Sequence, residues 1–213
     1  MGRRALRKID PSLDLSRHLF ELESLPSPFC PVEWFGGEMP LEIEIGSGKG
    51  LFMETAAQDC DHHRFMGIEI SRKYVRFAAA RLAKKDLSNA IMIHGDAKVL
   101  LCERLPDECA IAVHVYFPDP WWKKRHRRRR VMTAEVIENI QRVLCRSGKL
   151  HFWTDVEEYF TTTIELINNE SKFGSPIQVP PRTADHSMDY RTHFERRMRL
   201  CGENVYRAEF IKA

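Results

Sequence analysis

Residues 41–51, LEIEIGSGKGL, decide the fold. Leu41, Ile43 and Ile45 alternate with glutamates, the period of a half-buried strand. The run ends in Gly46, Gly48 and Gly50, spaced by single residues, and residues 51–58 then have the composition of a helix. A strand that breaks into a glycine turn and restarts as a helix opens a nucleotide-sized crevice in an α/β sheet. Glycines there let main chain approach a ligand where a Cβ would collide.

Outward from this stretch, strand and helix alternate. FMGIEI (65–70) reads as a buried strand, and Ser71 can cap a helix running to about Lys85. Residues 90–93 and 111–117 (IAVHVYF) read as further strands. Residues 133–146 carry Val136, Ile140, Val143 and Leu144 on one helical face, stopped by Ser147-Gly148. A fifth strand (149–154) and a helix (156–168) follow. Five strands with intervening helices predict a mostly parallel twisted sheet covered on both faces. Beyond Pro180-Pro181, residues 190–200 and 204–212 read as two extended runs around Cys201-Gly202, a terminal antiparallel hairpin. Residues 1–39, with four prolines and Gly36-Gly37, read as a basic N-terminal arm with at most a short helix near 13–22. Residues 40–213 read as the folded domain.

The chain has 213 residues, 43% hydrophobic and 30% charged, ordinary for one soluble domain with a substantial core. The net charge of +3 hides its distribution: basic residues cluster at 3–8 and 123–130. Six scattered cysteines form no CxxC pair and no Cys/His set of zinc-ligand spacing, so no metal is expected. They read as reduced, mostly buried thiols of a cytoplasmic protein. No window approaches the roughly 18 apolar residues of a membrane span.

Glu44, two residues before Gly46, selects the ligand of the glycine turn. A carboxylate there repels pyrophosphate and suits a cation with amino and sulfonium groups, such as S-adenosylmethionine. A dinucleotide fingerprint needs its third glycine one residue later, and a phosphate-binding loop needs a hydroxyl after Lys49. Two further acids follow strands. Glu69 lies 23 positions after Gly46, where such folds hold ribose hydroxyls. Asp96 either accepts from an adenine amino group or caps a helix.

The acceptor side begins at Phe117-Pro118-Asp119-Pro120-Trp121-Trp122. Asp119, stiffened by two prolines at a strand end, is expected to face the transferred methyl. Behind it, Lys123-Lys124-Arg125-His126-Arg127-Arg128-Arg129-Arg130 has one residue in eight that is not Lys or Arg, a density suited to a nucleic-acid backbone. Trp121 and Trp122 either stack on a base or pack.

The set Glu44-Ile45-Gly46-Ser47-Gly48-Lys49-Gly50, Gly67-Ile68-Glu69, Gly95-Asp96-Ala97, Phe117-Pro118-Asp119-Pro120-Trp121 with Lys123, Thr154-Asp155 and Thr192-His193-Phe194-Glu195 resembles the bacterial tRNA (guanine-N7-)-methyltransferase family. The resemblance spans residue 41 to the C-terminus. It implies a Rossmann-like class I methyltransferase using S-adenosylmethionine. Glu44, Gly46, Gly48, Gly50, Glu69, Asp96 and Asp119 are then around the cofactor, with Asp119 also catalytic. Lys123, Asp155, Thr192, His193, Phe194 and Glu195 are implied to bind substrate, and Arg125, His126, Arg127, Arg128, Arg129 and Arg130 to meet tRNA. The implied product is 7-methylguanosine in the variable loop. The expected assembly is a monomer or homodimer with no obligate protein partner and no membrane.

The chemistry agrees with the absence of an obvious His or Cys nucleophile. Guanine N7 has a lone pair and no proton, so no general base is needed. The site has to align N7, methyl and sulfur and stabilise the charge developing on guanine. An ionised Asp119 accepting from the guanine N1 and N2 edge discriminates against adenine; Asp155 or Glu195 can share this role. Two other readings remain. Exocyclic-amine methyltransferases place Asn or Asp before Pro-Pro-aromatic, whereas here one proline separates acid from tryptophan. An RNA-binding module with a relic cofactor fold is disfavoured by the intact acids.

Overall fold

The computed structural model describes residues 6–121, 125, 130–181, 183–186 and 189–213. Trp122, Lys123, His126, Arg127, Arg128 and Arg129 lie outside the described residues. At the centre stands β2 (Leu41–Ile45), flanked in parallel by β3 (Arg64–Glu69) and β5 (Ala110–Tyr116). β4 (Ala90–His94) continues beyond β3, and β6 (Leu144–Thr154) beyond β5. Chain order therefore runs outward on one side of β2 and restarts on the other. That reversal is where an open α/β sheet forms its crevice.

The alternation seen in residues 41–45 sorts the sheet's two faces. Leu41, Ile43 and Ile45 join a core with Val136, Ile137, Ile140 and Val143 of α5 (Ala134–Val143) and Tyr159 and Ile167 of α6 (Glu157–Glu170). The opposite face packs Phe65, Met92, Tyr116 and Trp153 against α2 (Leu51–Asp59) and α3 (Arg72–Lys84). Glu42 and Glu44 project onto this second face, beneath α2.

The structure departs from the sequence reading at several places. Of a helix near 13–22 only a single 3-10 turn forms, at Leu22–Ser24. Leu19–Glu21 is instead a strand, β1, pairing in parallel with β4. Leu22, Leu25 and Phe29 are buried in the core, and Pro31–Phe35 forms a short helix, α1. A three-residue strand has too little sequence to show a period; pairing to the otherwise open edge of β4 decides it. Helix α5 ends at Val143, before Ser147-Gly148. Those two residues form an excursion in β6, where pairing jumps from Ala110–Leu144 to Ala112–Lys149 and Ser147 adopts φ 62°.

The antiparallel C-terminal pair exists, but from other residues. β8 (Tyr206–Ile211) lies between β6 and β7 (Ile177–Gln178), antiparallel to both. Residues expected as its partner form helix α7 (His193–Leu200). Phe194 and Met198, four apart among charged residues, carry a thin helical signal that was outweighed by the turn at Cys201-Gly202.

All six cysteines are unpaired, five half-buried and Cys201 exposed, so none is a fully buried core thiol. Cys60, His62 and His63 converge on the α2–β3 turn with donor atoms within 4.8 Å of one another, a Cys/His grouping the sequence spacing did not suggest. Within it, His63 Nδ1 lies 2.7 Å from Glu42 Oε1. Among the described residues no helix is long and apolar enough to cross a membrane.

Candidate active site

The glycine turn is built on left-handed backbone: Gly46, Gly48 and Gly50 have φ 75°, 51° and 67°. Gly50 is constrained twice, because a Cβ there would stand 2.6 Å from Ala78 Cβ on α3. Its absence lets the first turn of α2 close onto α3. The loop is fastened to β3: Gly46 and Ser47 donate to Ile68 O at 2.9 and 3.2 Å, and Gly48 N–H donates to Glu69 Oε2 at 2.9 Å. Glu69 Oε1 accepts the Ser71 N–H at 2.8 Å. Ser71 occupies the N-cap of α3 without a side-chain cap bond; Glu69 takes its amide instead.

Glu44 is 3% exposed, and its Oε2 has no hydrogen-bond partner. Burial, with the charge of Glu69 adding to it, pushes its carboxyl up to about 8 against the opposing pull of Ser47 and Arg191. A buried carboxylate oxygen left without a donor is unfavourable unless something supplies one. A cationic amino group does so, and would restore the ionised form. The donor set thus fits the amino-acid end of S-adenosylmethionine.

Beside Glu44 runs a buried polar row. Glu42 Oε2 lies 2.7 Å from His114 Nε2, and His114 Nδ1 lies 2.9 Å from the Tyr116 hydroxyl. Burial raises Glu42, but His114 and His63 outweigh it and hold the carboxyl at about 2. Burial lowers His114 and raises Tyr116. The consistent arrangement is a neutral His114 donating from Nε2 to ionised Glu42 and accepting from the Tyr116 O–H. The row carries the β5 end into the Phe117–Trp121 loop.

In that loop Phe117 and Trp121 have φ 52° and 41°, two of the five positive-φ non-glycine residues among those described. Such backbone is strained for bulky side chains and concentrates at functional sites. Phe117 N–H donates to Trp153 O at 2.8 Å, and Asp119 is exposed at the tip. Asp155 is half-buried at the end of the neighbouring strand β6. Arg130, expected to grip RNA, is used internally: its Nε donates to Pro120 O at 2.8 Å, and its guanidinium lies over the Tyr159 ring. Arg125 is exposed.

The Thr192–Glu195 segment is the N-terminus of α7. Thr192 Oγ1 accepts the Glu195 N–H at 3.0 Å, and Glu195 Oε2 accepts the Arg191 N–H at 2.8 Å, a variant of the capping box. Glu195 is 2% exposed, and its Oε1 lies 2.9 Å from Arg207 Nη2, also buried. Phe194 packs against Phe117 with ring centroids 4.9 Å apart and the planes tilted by 37°, and His193 Nε2 lies 3.1 Å from Arg81 Nη1. The segment therefore braces the Phe117–Trp121 loop. Asp96 caps α4 (Ala97–Val99) by accepting the Lys98 N–H at 2.9 Å and remains exposed, so the capping alternative is realised. Sequence reasoning missed two residues. Ile70, directly after Glu69, is 70% exposed, an apolar face beside the glycine turn. Arg191 projects over Phe52, where neither composition nor spacing marked it.

A crevice at the strand-order reversal, a glycine turn tied by one acid and an orphaned buried carboxylate define a class I methyltransferase. Residues 38–208 match the family described as a putative methyltransferase. A tRNA (guanine-N(7)-)-methyltransferase from Rhodopirellula baltica is 49% identical, covering all of this chain and 80% of that protein. One of the same description from a Shewanella species is 33% identical, over 87% of this chain and 78% of that one. Among solved structures, a precorrin-6y C5,15-methyltransferase from Geobacter metallireducens has TM-score 0.57 at 17% identity, covering 82% of each chain. A 30S ribosomal A1408 methyltransferase from an uncultured bacterium has TM-score 0.57 at 15% identity, covering 85% of this chain and 92% of that one. These two share the fold. The chain belongs to the tRNA (guanine-N7-)-methyltransferase family.

Proposed function

We propose that the protein transfers the methyl group of S-adenosylmethionine to N7 of a variable-loop guanosine in tRNA. One juxtaposition carries the reading: the orphaned carboxylate of Glu44 on β2 and the exposed Asp119 beyond the adjoining strand β5, across the strand-order reversal. Relatives of the same description at 49% and 33% identity support it.

When bound, the cofactor supplies an electrophilic methyl on a sulfonium. The chain's residues supply position and charge. Glu44 holds the ammonium, and Ile70 offers an apolar face to the adenine. Glu69 fixes the glycine turn and reaches the ribose with its remaining lone pairs; Asp96, though engaged as a cap, keeps one oxygen for the adenine amino group. Asp119 accepts from the guanine N1 and N2 edge and stabilises the positive charge that methylation places on the base. Asp155, at the next strand end, shares that edge. Phe194 holds the loop through Phe117, while Thr192 and His193 border the acceptor space. Lys123 and the run from Arg125 to Arg129 hold phosphates as the guanine leaves its stack. The chain works as a monomer or homodimer, without an obligate protein partner, in the cytoplasm where tRNA matures.

Incubating the purified chain with unmodified tRNA and methyl-labelled cofactor, followed by nucleoside identification, tests the reading; label in a methylated exocyclic amine overturns it. Asp119→Ala is expected to lower kcat by about 10²-fold or more with cofactor affinity preserved. Undiminished turnover removes the assignment.

A further inference from the structure

We propose that Arg191 is a carboxylate-binding residue of the donor crevice, taking the α-carboxylate of the cofactor's methionine end while Glu44 takes its α-ammonium. The inference rests on the donor reading of that crevice and adds the anion half of its amino-acid subsite.

Arg191 lies two residues before α7, its N–H held by Glu195 Oε2. Its guanidinium carbon stands 5.4 Å from the centre of the Phe52 ring. Phe52 packs in turn on His114 and Tyr116, with ring centroids 4.5 and 5.4 Å apart. His114 is the register partner of Glu44. The aromatic ring thus pins the cation over the row of side chains that carries Glu44. Its field reaches Glu44, where it opposes the effect of burial.

The cation is not already committed. Arg191 Nε is buried without a hydrogen-bond partner. Among the described residues its guanidinium forms no ion pair. The other acids near this face are engaged elsewhere: Glu42 by His63 and His114, Glu54 by Arg81, and Glu209 by Lys149 and His151. Glu44 Oε2 is equally unpartnered. In the empty protein Glu44 is kept protonated by burial and Arg191 Nε stays without an acceptor, so each lacks the partner of opposite charge that suits it. An α-amino acid zwitterion between them satisfies both. The planar guanidinium fork matches a carboxylate, and the ring beneath restricts its orientation.

Calorimetric titration of the full chain with S-adenosylmethionine and with its decarboxylated analogue, which keeps both ammonium and sulfonium, tests this. The wild type is expected to bind the analogue about 10–100-fold more weakly. Arg191→Gln should lose the same factor for S-adenosylmethionine while keeping the analogue within about two-fold, so that the two ligands become equal. Arg191→Lys, with charge but no fork, should recover part of the preference. The comparison is made within each variant, so a lower folded fraction does not alter it. Equal wild-type affinity for both ligands, or equal losses for both in Arg191→Gln, overturns the proposal. A wild type that binds neither ligand overturns the donor reading instead.

Discussion

Replacing Glu44 by Gln isolates the ionisation of one buried carboxyl. In the folded, ligand-free protein burial pushes that group from 4.5 up to about 8; in the unfolded chain it titrates near its ordinary value. Between those limits the folded state keeps a proton that the unfolded state releases. Stability therefore falls as pH rises through the window and levels off above it. Each pH unit is worth about 1.4 kcal/mol, so the interval sets a ceiling near 5 kcal/mol. Water entering the crevice on ionisation screens the charge and lowers that figure. A retained third, about 1.5 kcal/mol, still moves Tm by roughly 3–6 °C at this chain length. Glutamine fills the same space and cannot ionise. Differential scanning calorimetry of ligand-free wild type and Glu44→Gln from about pH 5 to pH 9 should show wild type losing ground steadily, with the variant more stable at the alkaline end. Parallel pH profiles would refute the reasoning. In wild type, cofactor binding at neutral pH should also release a proton, visible as a dependence of binding enthalpy on buffer, and Glu44→Gln should abolish it.

Gly50→Ala combines a left-handed residue with a Cβ 2.6 Å from Ala78 Cβ and 3.0 Å from its Cα; a loss of about 2–4 kcal/mol and of cofactor binding is expected in denaturant titration. Glu195→Ala leaves buried Arg207 without its partner and should destabilise by about 3–5 kcal/mol. Adding Arg207→Met should restore much of that, whereas an acid serving substrate alone would leave Tm unmoved. Replacing Arg127 to Arg129 with Ser, and leaving Arg130 on Pro120, should weaken tRNA binding and flatten its salt dependence by about one unit of slope per lost phosphate contact, with cofactor affinity unchanged. An unaltered salt slope would contradict the RNA-facing role.

The central sheet was legible because its signals are local. Leu41, Ile43 and Ile45 alternate into three glycines, and that pattern alone placed β2, the turn and α2. Glu44 was legible for the same reason: its spacing from Gly46 fixes which face it enters. What escaped depends on partners far along the chain. β1 exists because β4 offers an edge, and nothing in Leu19–Glu21 announces that. Thr192 and Glu195 have the spacing of a cap, yet only the fold reveals Arg207 across from Glu195. Arg191 carries no motif; its place over Phe52 arises from the path of the chain before α7. Burial converts such residues from ordinary surface charges into a site, and burial is a property of the whole molecule.

The position of β8 bears on how the enzyme comes into being on a ribosome. It is the last strand in chain order, yet it is inserted between β6 and β7 rather than added at a margin. The strands bearing Glu44, Glu69 and the proline-bracketed loop emerge and can pair well before it. Glu44, Glu69 and the glycine turn are thus made long before Arg191, Phe194 and Arg207, which come near the end of the chain. Completing the acceptor half therefore waits on the end of the chain, residues 192–211, which place β8 between β6 and β7.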